Sequence, residues 1–108
     1  MGDEINELYS TILERKNSGE EGSYTAYLFQ KGLEKILKKV GEESTEVVIS
    51  ALGNDKEEQI NEICDLTYHL LVLMAELNIP LEMVEEELKK RSKKINNFKG
   101  ERKEIDNI

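Results

Sequence analysis

Glu42, Glu43 and Glu46 crowd together in the segment KKVGEESTEVVISAL, residues 38–52. On a helix turning about 100° per residue, Glu46 stands about 40° from Glu42, and Glu43 about 100° from it. Like charges four residues apart destabilise a helix by about 0.2–0.5 kcal/mol. A divalent cation is the simplest compensation. A second acidic pair, Glu62 and Asp65, opens the run EICDLTYHLLVLMAEL, residues 62–77, which is otherwise almost wholly apolar. A carboxylate beside a helix that reads as core must be paired, protonated or coordinated. The five acids together, Glu42, Glu43, Glu46, Glu62 and Asp65, offer an all-oxygen donor set. Such a set suits Mg²⁺ or Mn²⁺, whereas zinc draws more His and Cys than the one of each in this chain.

Lys31, Lys35 and Lys39 share the helix face of the glutamates, upstream of them. Ammonium groups leading into carboxylates suit a polyphosphate carrying its cation. A solvated face has the same look, and Lys39–Glu43 is an ordinary i,i+4 pair. Ser23, Tyr24 and Thr25 open a helix, whose free N–H groups can hold a phosphate. Helix capping explains Ser23 equally well. For His69 the simpler assignment is a core residue with one nitrogen satisfied. Met74 and Met83 read as core, and KKRSKK, residues 89–94, as a solvated helix end. There is no Gly-rich phosphate loop and no nucleophile–base pair at a readable spacing.

The elements that must position these groups are helical. The chain has one proline and few alternating β-branched runs. A first amphipathic helix is expected over 3–16, with Ile5, Leu8, Tyr9 and Ile12 on one face. NSGEEGS, residues 17–23, reads as a loop. A second helix is predicted from Tyr24 to about Leu52, with Ile36, Val40 and Val47 at the centre of its core stripe and Leu33, Leu37, Val48 and Ala51 beside them. Gly32 and Gly41 interrupt it, and each marks a candidate break, kink or close approach. A third helix is expected from Lys56 to about Asn78, ended by Pro80, and a fourth over 80–94. A short turn at 53–55 makes helices two and three antiparallel, which could set Glu42, Glu43 and Glu46 opposite Glu62 and Asp65. The expected fold is an all-α small helical bundle, a single domain over 1–95 with a tail over 96–108.

With 108 residues, 38% hydrophobic and 35% charged, the core is thin and self-association is expected. A net charge of −8 argues against a nucleic-acid binder. It leaves room for a nucleotide substrate, because a bound metal inverts the local sign. The lone Cys64 excludes an internal disulfide and fits a reducing compartment. The acidic start, MGDEINELYS, has no apolar signal-like run, and LVLMA is far too short to span a membrane. A cytoplasmic protein without membrane contact is expected.

The segments SYTAYLFQKGLEKILKKVGEESTEVVISA, residues 23–51, and EICDLTYHLLVLMAE, residues 62–76, resemble the phosphoribosyl-ATP pyrophosphohydrolase family. That family belongs to the all-α, MazG-like nucleotide pyrophosphohydrolases. The resemblance covers roughly residues 5–95. The E-E-x-x-E and E-x-x-D patterns mark the wider superfamily, while S-Y-T, K-V-G-E-E-x-x-E and D-L-x-Y-H are more specific to the family. The resemblance implies Mg²⁺-dependent cleavage of phosphoribosyl-ATP to phosphoribosyl-AMP and pyrophosphate in histidine biosynthesis. Glu42, Glu43, Glu46, Glu62 and Asp65 would hold the metal, with Glu43 or Glu46 as general base. Lys39, with Lys31 or Lys35, would neutralise the leaving group, and Ser23 to Thr25 would contact a substrate phosphate. A homodimer with sites near the subunit contact is also implied. Two other readings stay open: a house-cleaning (d)NTP pyrophosphohydrolase with the same carboxylates, and a non-catalytic helical binding module.

Overall fold

The computed structural model describes residues 2–96. The described residues form α1 (Asp3–Ser18), α2 (Tyr24–Lys31), α3 (Leu33–Ala51), α4 (Lys56–Glu76) and α5 (Leu81–Asn96), with no strand among them. The all-α expectation is met, with one more helix than the sequence predicts. The helix expected over Tyr24–Leu52 is two helices broken at Gly32. Gly32 has φ 89° and ψ −171°, a conformation almost confined to glycine. It ends α2 through its N–H to the Leu28 carbonyl and starts α3 by accepting from Ile36 N–H. Gly41 makes no break and lies within α3, with open space where a Cβ would project.

Local signals fix the remaining boundaries. Gly19, at φ 60°, ends α1 in the left-handed conformation. Ser23 caps α2, its Oγ accepting from Ala26 N–H at 3.1 Å. The Asp55 carboxylate caps α4 through Glu58 N–H at 3.1 Å. α4 stops at Glu76, ahead of Pro80, because Asn78 adopts φ 58° and Ile79 N–H turns back to the Met74 carbonyl. Lys16 of α1 closes that end, donating to the Ala75 carbonyl at 2.6 Å and Asn78 Oδ1 at 3.1 Å. Asn96 closes α5, and the rest of the expected tail, 97–108, lies outside the described residues.

α3 and α4 form the most extensive pair; α1 packs on α4 and α2, and α2 on α3. The core comprises Tyr9, Ile12, Leu28, Ile36, Leu71, Val72, Ala75 and Leu81. Full burial of side chains such as Ile12, Leu28, Ile36 and Val72 contributes about 1.5–3 kcal/mol each. Of the stripe expected on α3, only Ile36 is buried; Val40 and Val47 are half-covered, and Leu33, Leu37, Val48 and Ala51 are exposed. The apolar arc of α3 is wider than α2 and α4 can cover. Met74 packs against the core, whereas Met83 is exposed on α5, which has only its first residue, Leu81, in the core.

The two glycines of the α2–α3 segment should therefore respond with opposite signs. Gly32→Ala is expected to lower unfolding stability by about 1–3 kcal/mol. Gly41→Ala is expected to raise it by about 0.5–1 kcal/mol. Urea unfolding of both variants checks this, and equal shifts would contradict the assigned break.

Candidate active site

The α3–α4 turn sets the register of the site. Gln59 on α4 reaches back across it, its amide donating to the Ser50 carbonyl at 3.2 Å and the Gly53 carbonyl at 3.1 Å. Glu43 and Glu62 stand at similar distances from this turn on antiparallel helices, so they meet. Glu43, Glu62 and Asp65 each place a carboxylate oxygen within 4.8 Å of the other two. Glu43 and Glu62 are half-buried and Asp65 is exposed. Glu42, Glu43, Thr45 and Glu46 line an open cleft on the α3 side.

The remaining expected ligands flank this trio. Partial burial, and then the charges of Glu46, Asp65, Glu43 and Glu58, push the Glu62 carboxyl above its ordinary range. Glu46 is thus within electrostatic reach of the cluster without being one of its three closest members. Glu42 turns to Lys39, whose ammonium lies 3.4 Å from Glu42 and 3.5 Å from Glu43. Burial works against the Lys39 charge, but Tyr24, Glu42 and Glu43 outweigh it and raise its pKa. Lys39 therefore meets the carboxylates as expected. Lys31 does not: it lies over the Tyr27 ring, 5.8 Å from its centroid. Lys35 stands about one turn behind Lys39 on α3.

Three carboxylate oxygens this close, raising the pKa of one of their own number, match the donor set of a hard divalent cation. The observed chemistry of the trio fits such a group.

The first turn of α2 is tied to α4 beside the cluster. The Tyr24 hydroxyl meets His69 Nε2 at 3.0 Å, and Thr25 Oγ1 forms a short hydrogen bond with the Tyr68 hydroxyl. The Tyr24 ring stacks near Tyr68, with centroids 6.3 Å apart, and presents to the edge of His69. Burial and neighbouring charges, Glu43 among them, raise the Tyr24 pKa against the opposing pull of Lys39. His69 is buried as expected, with both nitrogens engaged: Nδ1 lies 2.7 Å from the Asp65 carbonyl. Tyr68 is the residue that sequence reasoning missed. Its signal was its place in the D-L-x-Y-H pattern, but nothing local shows that α2 returns over α4.

The sequence profile described as phosphoribosyl-ATP pyrophosphohydrolase matches residues 5–92. The chain belongs to this family. It is 55% identical over 106 residues to the phosphoribosyl-ATP pyrophosphatase of Clostridium novyi (strain NT), covering 98% of this chain and 96% of the relative. The phosphoribosyl-ATP pyrophosphatase of Clostridium botulinum (strain Kyoto / Type A2) is 59% identical over 104 residues, covering 96% of this chain and 94% of its own length. That of Listeria monocytogenes serotype 4a (strain HCC23) is 60% identical over 104 residues, covering 96% and 99%. The carboxylate trio and the α2–α4 ties both fall inside the matched region.

Partial burial and repulsion at Glu62 have a pH signature. A carboxyl raised in the folded state favours folding below its unfolded pKa, and that advantage is lost as pH rises through the folded value. Glu62→Gln should therefore melt at a higher temperature than wild type at pH 7 in chelator. The gap should close as pH falls below the ordinary glutamate range. A variant that melts lower at pH 7 would contradict the repulsion.

Proposed function

We propose that this chain hydrolyses the α–β phosphoanhydride of phosphoribosyl-ATP to phosphoribosyl-AMP and pyrophosphate, as a Mg²⁺-dependent step of histidine biosynthesis. The observation that carries the reading is the trio Glu43, Glu62 and Asp65, set beside Lys39 in a chain that matches the family over residues 5–92. Membership supports phosphoanhydride hydrolysis, and the names of the relatives supply the substrate.

Glu43, Glu62 and Asp65 would hold Mg²⁺, or Mn²⁺ in its place, with Glu42 and Glu46 completing the acidic surround. When bound, the cation supplies charge neutralisation for phosphate oxygens and acidifies water. Glu46 takes the role of general base: it borders the cluster, whereas Glu43 already serves both the trio and Lys39. It would accept the proton that water loses as the anhydride opens. Lys39 neutralises the charge that develops on the departing pyrophosphate. Lys35, one turn back on the same helix, extends this positive line along the polyphosphate, whereas Lys31 is turned to Tyr27. Ser23, Tyr24 and Thr25 would form the substrate-facing start of α2, where Ser23 keeps its own O–H free to donate while its oxygen caps the helix.

A homodimer is part of the same reading. Leu33, Leu37, Val48 and Leu52 lie within about 100° of one another on α3 and are all exposed, as are Ile60 and Ile63 on α4. An apolar face of this kind marks an interaction surface. The radius of gyration, 16.4 Å, exceeds the roughly 13 Å of a compact 100-residue domain, which also supports a second copy completing the bundle. No described helix is long and apolar enough to cross a membrane, and a biosynthetic role supports a cytoplasmic location.

The test is pyrophosphate release with Mg²⁺ from phosphoribosyl-ATP, ATP and a panel of dNTPs. Selective turnover of phosphoribosyl-ATP is expected. Preference for dNTPs would keep the metal site and overturn the substrate. Glu46→Gln should lower kcat at least 100-fold with its circular dichroism unchanged; full activity in that variant would remove Glu46 from the reaction.

A further inference from the structure

His69 is buried, but its hydrogen bonds do more than satisfy a core ring. Nδ1 lies 2.7 Å from the Asp65 carbonyl oxygen. A carbonyl can only accept, so Nδ1 carries a proton. In the neutral ring Nε2 is then bare and must accept, and its partner at 3.0 Å is the Tyr24 hydroxyl. We propose that His69 is a positioning residue which commits the Tyr24 hydroxyl to donate inward, so that the Tyr24 oxygen faces the Lys39–Glu43 corner as an acceptor only.

The consequence is chemical. A tyrosine whose proton is engaged cannot donate to a phosphate oxygen, but its lone pairs can hold an ammonium. Lys39 is the cation within electrostatic reach of Tyr24, and the same ammonium lies 3.4–3.5 Å from Glu42 and Glu43. Hydrogen bonds join the Asp65 carbonyl and His69 on α4 to Tyr24 on α2, and Lys39 on α3 lies within electrostatic reach of Tyr24. Asp65 belongs to the carboxylate trio and Lys39 adjoins it. A polar chain of this kind transmits a donor–acceptor direction that each bond alone would leave free.

The Tyr24–His69 bond satisfies the buried Nε2 of His69. The parallel bond between Thr25 and Tyr68 already holds the first turn of α2 to α4. What the His69 bond adds is a direction for the Tyr24 proton. Through Lys39, the direction bears on the charge that the proposed reaction must neutralise; the inference rests on that reading of the site.

A double-mutant cycle tests it. Tyr24→Phe removes the hydroxyl. In His69→Asn the amide can still meet the Asp65 carbonyl but is too short to reach Tyr24. Each variant is expected to lose about tenfold in kcat/KM for phosphoribosyl-ATP, the scale of one charge-assisted hydrogen bond. The double variant should lose no more than either alone, because His69 acts through Tyr24. His69→Gln, whose amide oxygen approaches the Nε2 position, should recover most of the loss. Additive losses, or no rescue by Gln, would overturn the positioning role while leaving the substrate assignment intact.

The chain has a single histidine, so imidazole ¹⁵N signals report on His69 alone. A protonated Nδ1 with a bare Nε2 is expected, and Tyr24→Phe should move the Nε2 signal. A protonated Nε2 overturns the inference directly. Absence of turnover in the wild-type protein would overturn the proposed reaction, and the nitrogen signals would still decide the tautomer.

Discussion

Two antiparallel helices that present carboxylates to each other should part, yet α3 and α4 stay together. Glu43, Glu62 and Asp65 converge to within 4.8 Å, and partial burial together with the neighbouring acidic charges pushes the Glu62 carboxyl upward. Apolar burial away from the cluster opposes the repulsion: Ile36 on α3 and Leu71, Val72 and Ala75 on α4 belong to one buried core. At the turn, Gln59 and the Asp55 cap fix the register. Lys39 offsets part of the charge from the α3 side. Hydrophobic packing thus holds an electrostatically unfavourable cluster in place, as the proposed cation site requires. A structure that spends stability on such a cluster is expected at a functional site.

The break at Gly32 turns this two-helix site into a three-helix one. A continuous helix from Tyr24 to Leu52 would carry Tyr24 about 42 Å from the α3–α4 turn, well past the carboxylates. Because Gly32 breaks and redirects the helix, the first turn of α2 reaches Tyr68 and His69 on α4 instead. A backbone conformation almost confined to glycine therefore brings the S-Y-T segment to the metal-ligand candidates. The groups proposed to face phosphate and cation sit on separate helices, tied by hydrogen bonds at fixed points.

Much of this was legible in the sequence, for physical reasons that differ by residue. Helix type followed from apolar spacing, and the α3–α4 antiparallel pair from a turn too short for any other course. The pairing of acids across that pair followed from register. The choice between Gly32 and Gly41 was not legible, because both carry the same intrinsic cost and only φ distinguishes them. The stripe Leu33–Leu37–Val48 read as core because amphipathic spacing reports what is apolar, not which surface covers it. Lys31 shares the face of Lys39, but the break at Gly32 turns it toward Tyr27. Both of His69's partners were invisible for the same reason: one is a backbone carbonyl and the other arrives from a helix that the break redirects.

The claim that organises the rest is that the acids of α3 and α4 form a cation site and not a solvated face. Mn²⁺ added to the purified full chain, with free ion followed by electron paramagnetic resonance, tests it without substrate. Saturable uptake is expected in wild type, weakened at least tenfold in Asp65→Asn, on the scale seen when support for a metal ligand is lost. No saturable uptake by the wild-type protein, or equal uptake by Asp65→Asn, would contradict it.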